Sequence, residues 1–160
     1  MYKRILLAYD GTREGRTALR EGALLALRCK AQIYLLSVVA GATGLRMAEG
    51  VSAGALAKCE ESYKEVLDEG VARLKTLGFD PVARLVTGEP IEEIVSFAEE
   101  VDAELVVVGH KRQSLLSRWW SGSSGAYLVD HLNCTVLVAR NLIADDVFQA
   151  ELASLLQTAP

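Results

Sequence analysis

Two hydrophobic rhythms alternate along this chain. Five short stretches, residues 3–9, Gln32–Val39, Val82–Thr87, Leu105–Gly109 and Thr135–Ala139, are rich in Val, Leu and Ile. The runs LVVVG and TVLVA are almost continuously apolar, as strands buried on both faces of a parallel sheet are. Between them, apolar positions recur at helical spacing. Residues 14–30 carry Ala18, Leu19, Gly22, Leu25 and Ala26 on one face. Residues 53–77 do the same with Leu56, Tyr63, Val66, Leu67, Val71 and Leu74, and Gly78 supplies a stop. Pro90 suits the first position of a third helix, with Glu92 and Glu93 in the turn where the helix dipole favours anions. A fourth helix is expected over about residues 123–131.

Strands and helices in this order predict an α/β protein: a doubly wound, open, parallel five-stranded sheet with helices on both faces. Residues 40–52 break the rhythm with glycines and no clear period. They read as a loop, either a lid or an ordinary mobile connection. In the tail, Ile143, Val147, Phe148, Leu152, Leu155 and Leu156 share one helical face, and Asp145 and Asp146 fall near its start. Such a stripe needs something to bury it, its own domain or a second subunit. The expected organisation is one domain over 1–140 and a C-terminal helical extension over 141–160.

Composition narrows the partners more than the fold. The chain is 51% hydrophobic and 24% charged, ordinary globular usage, with a net charge of −4. A mildly acidic chain is a poor general binder of nucleic acid or anionic membrane. The apolar run at the N-terminus is too short for a secretory segment and ends at Asp10, and no run approaches bilayer length. A cytoplasmic location is therefore expected. Cys29, Cys59 and Cys134 are odd in number and far apart, with no CxxC pair and no zinc spacing. They read as partly buried thiols, and no metal site is expected.

In an open parallel sheet, ligands bind beyond the carboxyl ends of the strands, at the switch point of the winding. The first strand runs into Asp10-Gly11-Thr12, and the fourth into HKRQSLLSRWWSGSSG. From Leu105 to Val129 there is no acidic residue, while Lys111, Arg112 and Arg118 are basic and Ser121–Gly125 is all Gly and Ser. A Gly/Ser-rich helix start offers free N–H groups to phosphate. A phosphate-binding segment and a solvated basic loop with a glycine-rich cap both fit this pattern. Asp10 can accept hydrogen bonds from a sugar hydroxyl or a base amine, or it can cap the following turn. The P-loop GxxxxGK, a GxGxxG after the first strand and a GxSxG elbow are absent. His110 could face a ligand; no serine has evident triad partners, and no catalytic residue is assigned.

These residues resemble the universal stress protein family over about residues 2–140. KRILLAYDGTREGRTALREGALLA is similar to its first strand and helix, and VVVGHKRQSLLSRWWSGSSGAYLVDHLNCTVLVAR to its nucleotide-binding segment and last strand. Nucleotide-binding members carry Gly, two residues, Gly, nine residues, then Gly and Ser or Thr. Gly109, Gly122 and Ser123 keep that spacing; Arg112 stands where the second glycine is expected. Arginine there could close the pocket, point outward, or add a charge beside the phosphates. The resemblance implies a Rossmann-like fold of the adenine nucleotide α-hydrolase-like kind, and ATP as the ligand, with Mg2+ placed by Ser123 or Ser124. It implies that Asp10 contacts the adenosine, that Ala8 and Tyr9 line the base pocket, and that Val38 meets the adenine edge through its backbone. Gly109, Lys111, Arg112, Gly122, Ser123 and Ser124 would surround ribose and phosphates. It also implies a homodimer paired through Thr135–Ala139.

Three functions follow as expectations. The leading one is a nucleotide-binding stress-response switch read by a protein partner, with at most slow hydrolysis. The second is a nucleotide-free dimeric interaction module in which Arg112 closes the site. The third is an enzyme of the wider adenine nucleotide α-hydrolase-like group, or a small hydrolase using His110, against which stands YDGTRE where such enzymes carry a phosphate loop such as SGGxD.

Overall fold

A computed structural model describes residues 1–40, 53–110, 128–140 and 143–157. Strands β1 (Arg4–Ala8), β2 (Gln32–Val39), β3 (Val82–Thr87), β4 (Leu105–Gly109) and β5 (Thr135–Ala139) form one sheet in the order β3-β2-β1-β4-β5. Every pairing is parallel. The doubly wound α/β fold read from the sequence is therefore the one observed. β1 is a residue shorter at each end than its hydrophobic run. At its carboxyl end the Tyr9 amide still reaches Leu36 O at 2.8 Å, but the Tyr9 carbonyl accepts from the Ser37 hydroxyl at 2.8 Å, and the ladder stops.

The helices are α1 (Arg13–Cys29), α2 (Ala53–Thr76), α3 (Pro90–Glu100) and α4 (Asp145–Gln157). Thr12 caps α1 by accepting from Gly15 N at 3.1 Å, and Lys30, at φ 53°, ends it in the left-handed conformation. Residues 128–131 are helical ahead of β5. The rest of the expected fourth helix, and the loop over 41–52, lie outside the described residues.

The sheet separates two cores. On one face Ile5, Leu7 and Tyr9 of the β1 segment meet Leu19 and Ala23 of α1 and Leu67 and Leu74 of α2. On the other, Leu6 meets Ile94 and Phe97 of α3, with Leu128 and Leu132. Alternate residues of β1 face opposite cores and both cores are apolar, which is why the central strand carries no polar alternation. A Cβ at Gly22 would strike Leu7, so glycine lets α1 lie close on the central strand.

The tail helix α4 packs on α1. Phe148 and Leu152 are buried, and the Arg20 guanidinium lies 5.2 Å from the Phe148 ring centre. Arg20 pairs with Asp145 at 2.5 Å and Arg28 with Glu151 at 2.6 Å. Its own domain thus takes part of the apolar stripe, while Val147 and Leu156 stay about half exposed. Among the described residues no helix is long and apolar enough to cross a membrane.

Candidate functional site

The strand order turns outward in both directions from β1 and β4, so the switch point lies between their carboxyl ends. Two glycines shape it. Gly11 adopts φ +72°, which turns the chain out of β1. Gly109 ends β4 against the first turn of α1: a Cβ there would sit 2.6 Å from Glu14 O and 3.0 Å from Gly15 N. Glycine at 109 therefore serves helix–strand packing, and that packing brings the start of α1 to the crevice.

Asp10 is engaged locally. Its Oδ1 accepts from Thr12 N at 3.0 Å and from the Thr12 hydroxyl at 2.5 Å, while Thr12 caps α1. Its Oδ2 has no hydrogen-bond partner among the described residues. The capping role weighed in the sequence is present, and one carboxylate oxygen is left over.

Tyr9 does not present its side chain to the crevice. The ring is buried between β1 and α2, against Gly70, and its hydroxyl donates to Glu69 Oε2 at 2.7 Å. Period-two alternation sends it to the same core as Ile5 and Leu7. Burial, then the hydrogen bond to Glu69, pushes its hydroxyl up to about 12. Burial opposes the charge on Glu69 itself. The hydrogen bonds from Tyr9 and Arg73, with the charges of Arg73 and Arg16, outweigh it and hold the carboxyl below its ordinary value. Ala8 is half-buried and packs on the α3 side.

Val38 is placed by register. In a parallel strand, successive residues direct their main-chain groups to opposite neighbours. Leu36 O accepts from Tyr9 beside β1, and Val39 O accepts from Gly88 beside β3. Val38 therefore turns its N–H and C=O towards the β1 side, beyond the end of that strand. No main-chain partner meets them among the described residues.

One neighbour escaped the sequence. Tyr63 of α2, legible there only as part of an apolar stripe, is half-buried beside Cys59 and Asp10. Burial, then Cys59 and Asp10, raises its hydroxyl, and a hydrogen bond from the Ala40 main chain opposes them. His110 continues the ladder through its amide to Ala139 O at 3.0 Å, and its Nε2 lies 3.1 Å from the Arg140 guanidinium. Since arginine only donates, a neutral His110 in this contact carries its proton on Nδ1. The topology thus sets Asp10, Val38 and Gly109 at the carboxyl ends of three neighbouring strands, β1, β2 and β4. Lys111, Arg112, Gly122, Ser123 and Ser124 lie outside the described residues.

An all-parallel sheet with helices on both faces and a switch point between β1 and β4 defines a protein of the doubly wound α/β class. Within that class the chain belongs to the universal stress protein family, whose profile matches residues 1–140. It is 28% identical over 145 residues to universal stress protein MJ0531 of Methanocaldococcus jannaschii, covering 88% of this chain and 83% of that one. A Staphylococcus saprophyticus protein named for the same family is 30% identical over 162 residues, covering 96% and 92%. Among solved structures, a universal stress protein family member from Burkholderia pseudomallei superposes with TM-score 0.67 at 27% identity, covering 86% of this chain and 95% of that one. The hypothetical protein MJ0577 shares the fold with TM-score 0.73 at 24% identity, covering 90% and 99%.

Proposed function

We propose that the crevice between β1 and β4 holds an adenine nucleotide, ATP, and that its occupancy is a regulatory state read by partner proteins. The observation that carries this reading is the main-chain edge of Val38. A neighbouring N–H and C=O offer one donor and one acceptor, the complement of adenine N1 and its exocyclic amine. The remaining Asp10 oxygen is an acceptor for a ribose hydroxyl. Gly109, Lys111, Arg112, Gly122, Ser123 and Ser124 take the ribose and phosphates in this reading, and a serine hydroxyl helps place Mg2+. Structures of this fold include a universal stress protein in complex with cAMP and an Archaeoglobus fulgidus one in complex with dAMP, so the reading asks nothing unusual of the fold.

Binding rather than turnover is the proposed mechanism. A ligand that prefers one state stabilises it in proportion to its concentration over Kd. Pairing of β5 with a second copy would cover an apolar edge strand and give a homodimer in the cytoplasm. The second reading, a nucleotide-free interaction module, draws on Asp10: its capping duty accounts for the residue without a ligand.

The test is to denature freshly purified protein, identify any released nucleotide by mass spectrometry, and titrate the stripped protein with Mg-ATP by calorimetry. Saturable binding, weakened at least about tenfold by Gly122→Val, is the expected result, since a branched side chain blocks close backbone approach. No carried nucleotide and no heat up to millimolar ATP would overturn it. Binding created by Arg112→Gly would then establish the second reading.

A further inference from the structure

From the first turn of α1 onward, α1, α2 and the segment leading into α4 line an open cleft of about 470 Å³. Its walls carry Arg13, Arg16, Arg20 and Arg73, and the one carboxylate among its lining residues is Asp145. Arg13, Arg16 and Arg20 recur on successive turns of one face of α1, and Arg73 comes from the last turn of α2. Four guanidinium groups gathered in a protein of net charge −4 concentrate positive potential at one place.

The arginines are already oriented. Glu69, next to the cleft but not among its lining residues, accepts from Arg16 at 3.0 Å and from Arg73 at 2.8 Å through the same oxygen, Oε1. One carboxylate oxygen shared by two five-donor groups leaves most of their donors for something else. Arg20 is held by Asp145 and by the Phe148 ring. Arg13 is exposed and makes no ion pair among the described residues.

We infer that this cleft binds a small oligophosphate, at a site separate from the crevice. Guanidinium forks match phosphate oxygens two at a time. The span from Arg13 to Arg20 is about 10 Å along the helix axis, longer than one phosphate and suited to a short chain of them. Part of the wall, at Ile143 and Asp145, lies beyond residue 140, where the family profile ends.

Tripolyphosphate is the probe, titrated by calorimetry into the full chain at low salt. The site predicts saturable binding that weakens as salt rises, and at least about tenfold weaker binding of inorganic phosphate. Binding should fall at least about tenfold in Arg13→Gln/Arg73→Gln, recover partly in the double lysine variant, and persist in Gly122→Val. Urea unfolding reports whether the double variant is folded; if it is not, Arg13→Gln alone should weaken binding about threefold. No saturable heat, unchanged binding in the arginine variants, or loss in Gly122→Val alone would each overturn the inference.

Discussion

The crevice over β1 and β4 and the arginine cleft beside α1 are built by opposite means. Among the described residues the crevice is built from main chain: a left-handed glycine, a glycine pressed on the start of α1, and the edge of Val38. The cleft is a side-chain site, made of long cations on helix surfaces. A main-chain edge is held by packing, so adding a carbon atom breaks it. A side-chain site tolerates changes of volume and answers to charge and ionic strength. One residue joins them. Glu69 receives the Tyr9 hydroxyl beneath the β1 turn on Oε2, and Arg16 and Arg73 on Oε1.

The largest effect expected is at Gly109. Valine there drives its side chain into the Glu14 carbonyl, a backbone atom that cannot move without displacing the first turn of α1. Overpacking of this kind costs about 3 kcal/mol or more. Urea unfolding should show the midpoint falling sharply, with nucleotide binding lost. Loss of binding at unchanged stability would mean that the glycine serves the ligand and not the packing.

Tyr9 gives the next effect, and it is read by pH. Its hydroxyl is held up at about 12, above the ordinary tyrosine value of 10.0. A raised folded pKa means that the folded protein keeps this proton when the unfolded chain has begun to lose it. The stabilisation is complete below about pH 10 and is lost as pH rises towards 12, on the order of 2 kcal/mol in all. The alkaline limb of wild-type stability should therefore be steeper than that of Tyr9→Phe. Parallel limbs would place the hydroxyl in water. A smaller change is expected for Glu69→Gln, which keeps an acceptor for Tyr9 and removes the charge that orients Arg16 and Arg73. Stability should fall by about 1 kcal/mol. Tripolyphosphate affinity should change while ATP affinity does not, and parallel changes in both would merge the two sites into one.

The fold was legible because both faces of the sheet are buried. With Ile5, Leu6 and Leu7 all closed to solvent, the strands could only read as continuous apolar runs between amphipathic helices. The same uniformity hid Tyr9. A strand apolar on both faces carries no sign of which face a ligand uses, and the residue expected in the base pocket lies in the α2 core. Asp10 was legible as a residue of interest, and the structure gives it the capping role the sequence had set beside the ligand role. Tyr63 was hidden in a helical stripe, since nothing in a period of 3.6 tells a core tyrosine from one beside Asp10. The cleft was the least legible feature. Arg13, Arg16 and Arg20 look like any solvated helix face until topology brings Arg73 and Asp145 beside them. The basic, Gly/Ser-rich segment that the sequence made prominent contributes Lys111, Arg112, Gly122, Ser123 and Ser124, all outside the described residues.

The smallest stability effect separates a charge that holds the fold from one that occupies a site. Asp145 pairs with Arg20 at 2.5 Å, yet its side chain is 83% exposed, and an ion pair in that much water contributes about 0.5 kcal/mol or less. Asp145→Asn should leave the urea midpoint almost where it was, because Phe148 and Leu152 still bury the apolar face of α4 on α1. The same substitution removes the one carboxylate lining the cleft and frees Arg20 for a ligand. Tripolyphosphate should then bind about threefold more tightly, since an incoming anion no longer competes with a resident one. Mg-ATP binding in the crevice should not move. A fall in tripolyphosphate affinity would mean that Asp145 orders Arg20 rather than competing for it. A large loss of stability would move the pair from the solvated rim into the mechanism that docks the C-terminal helix.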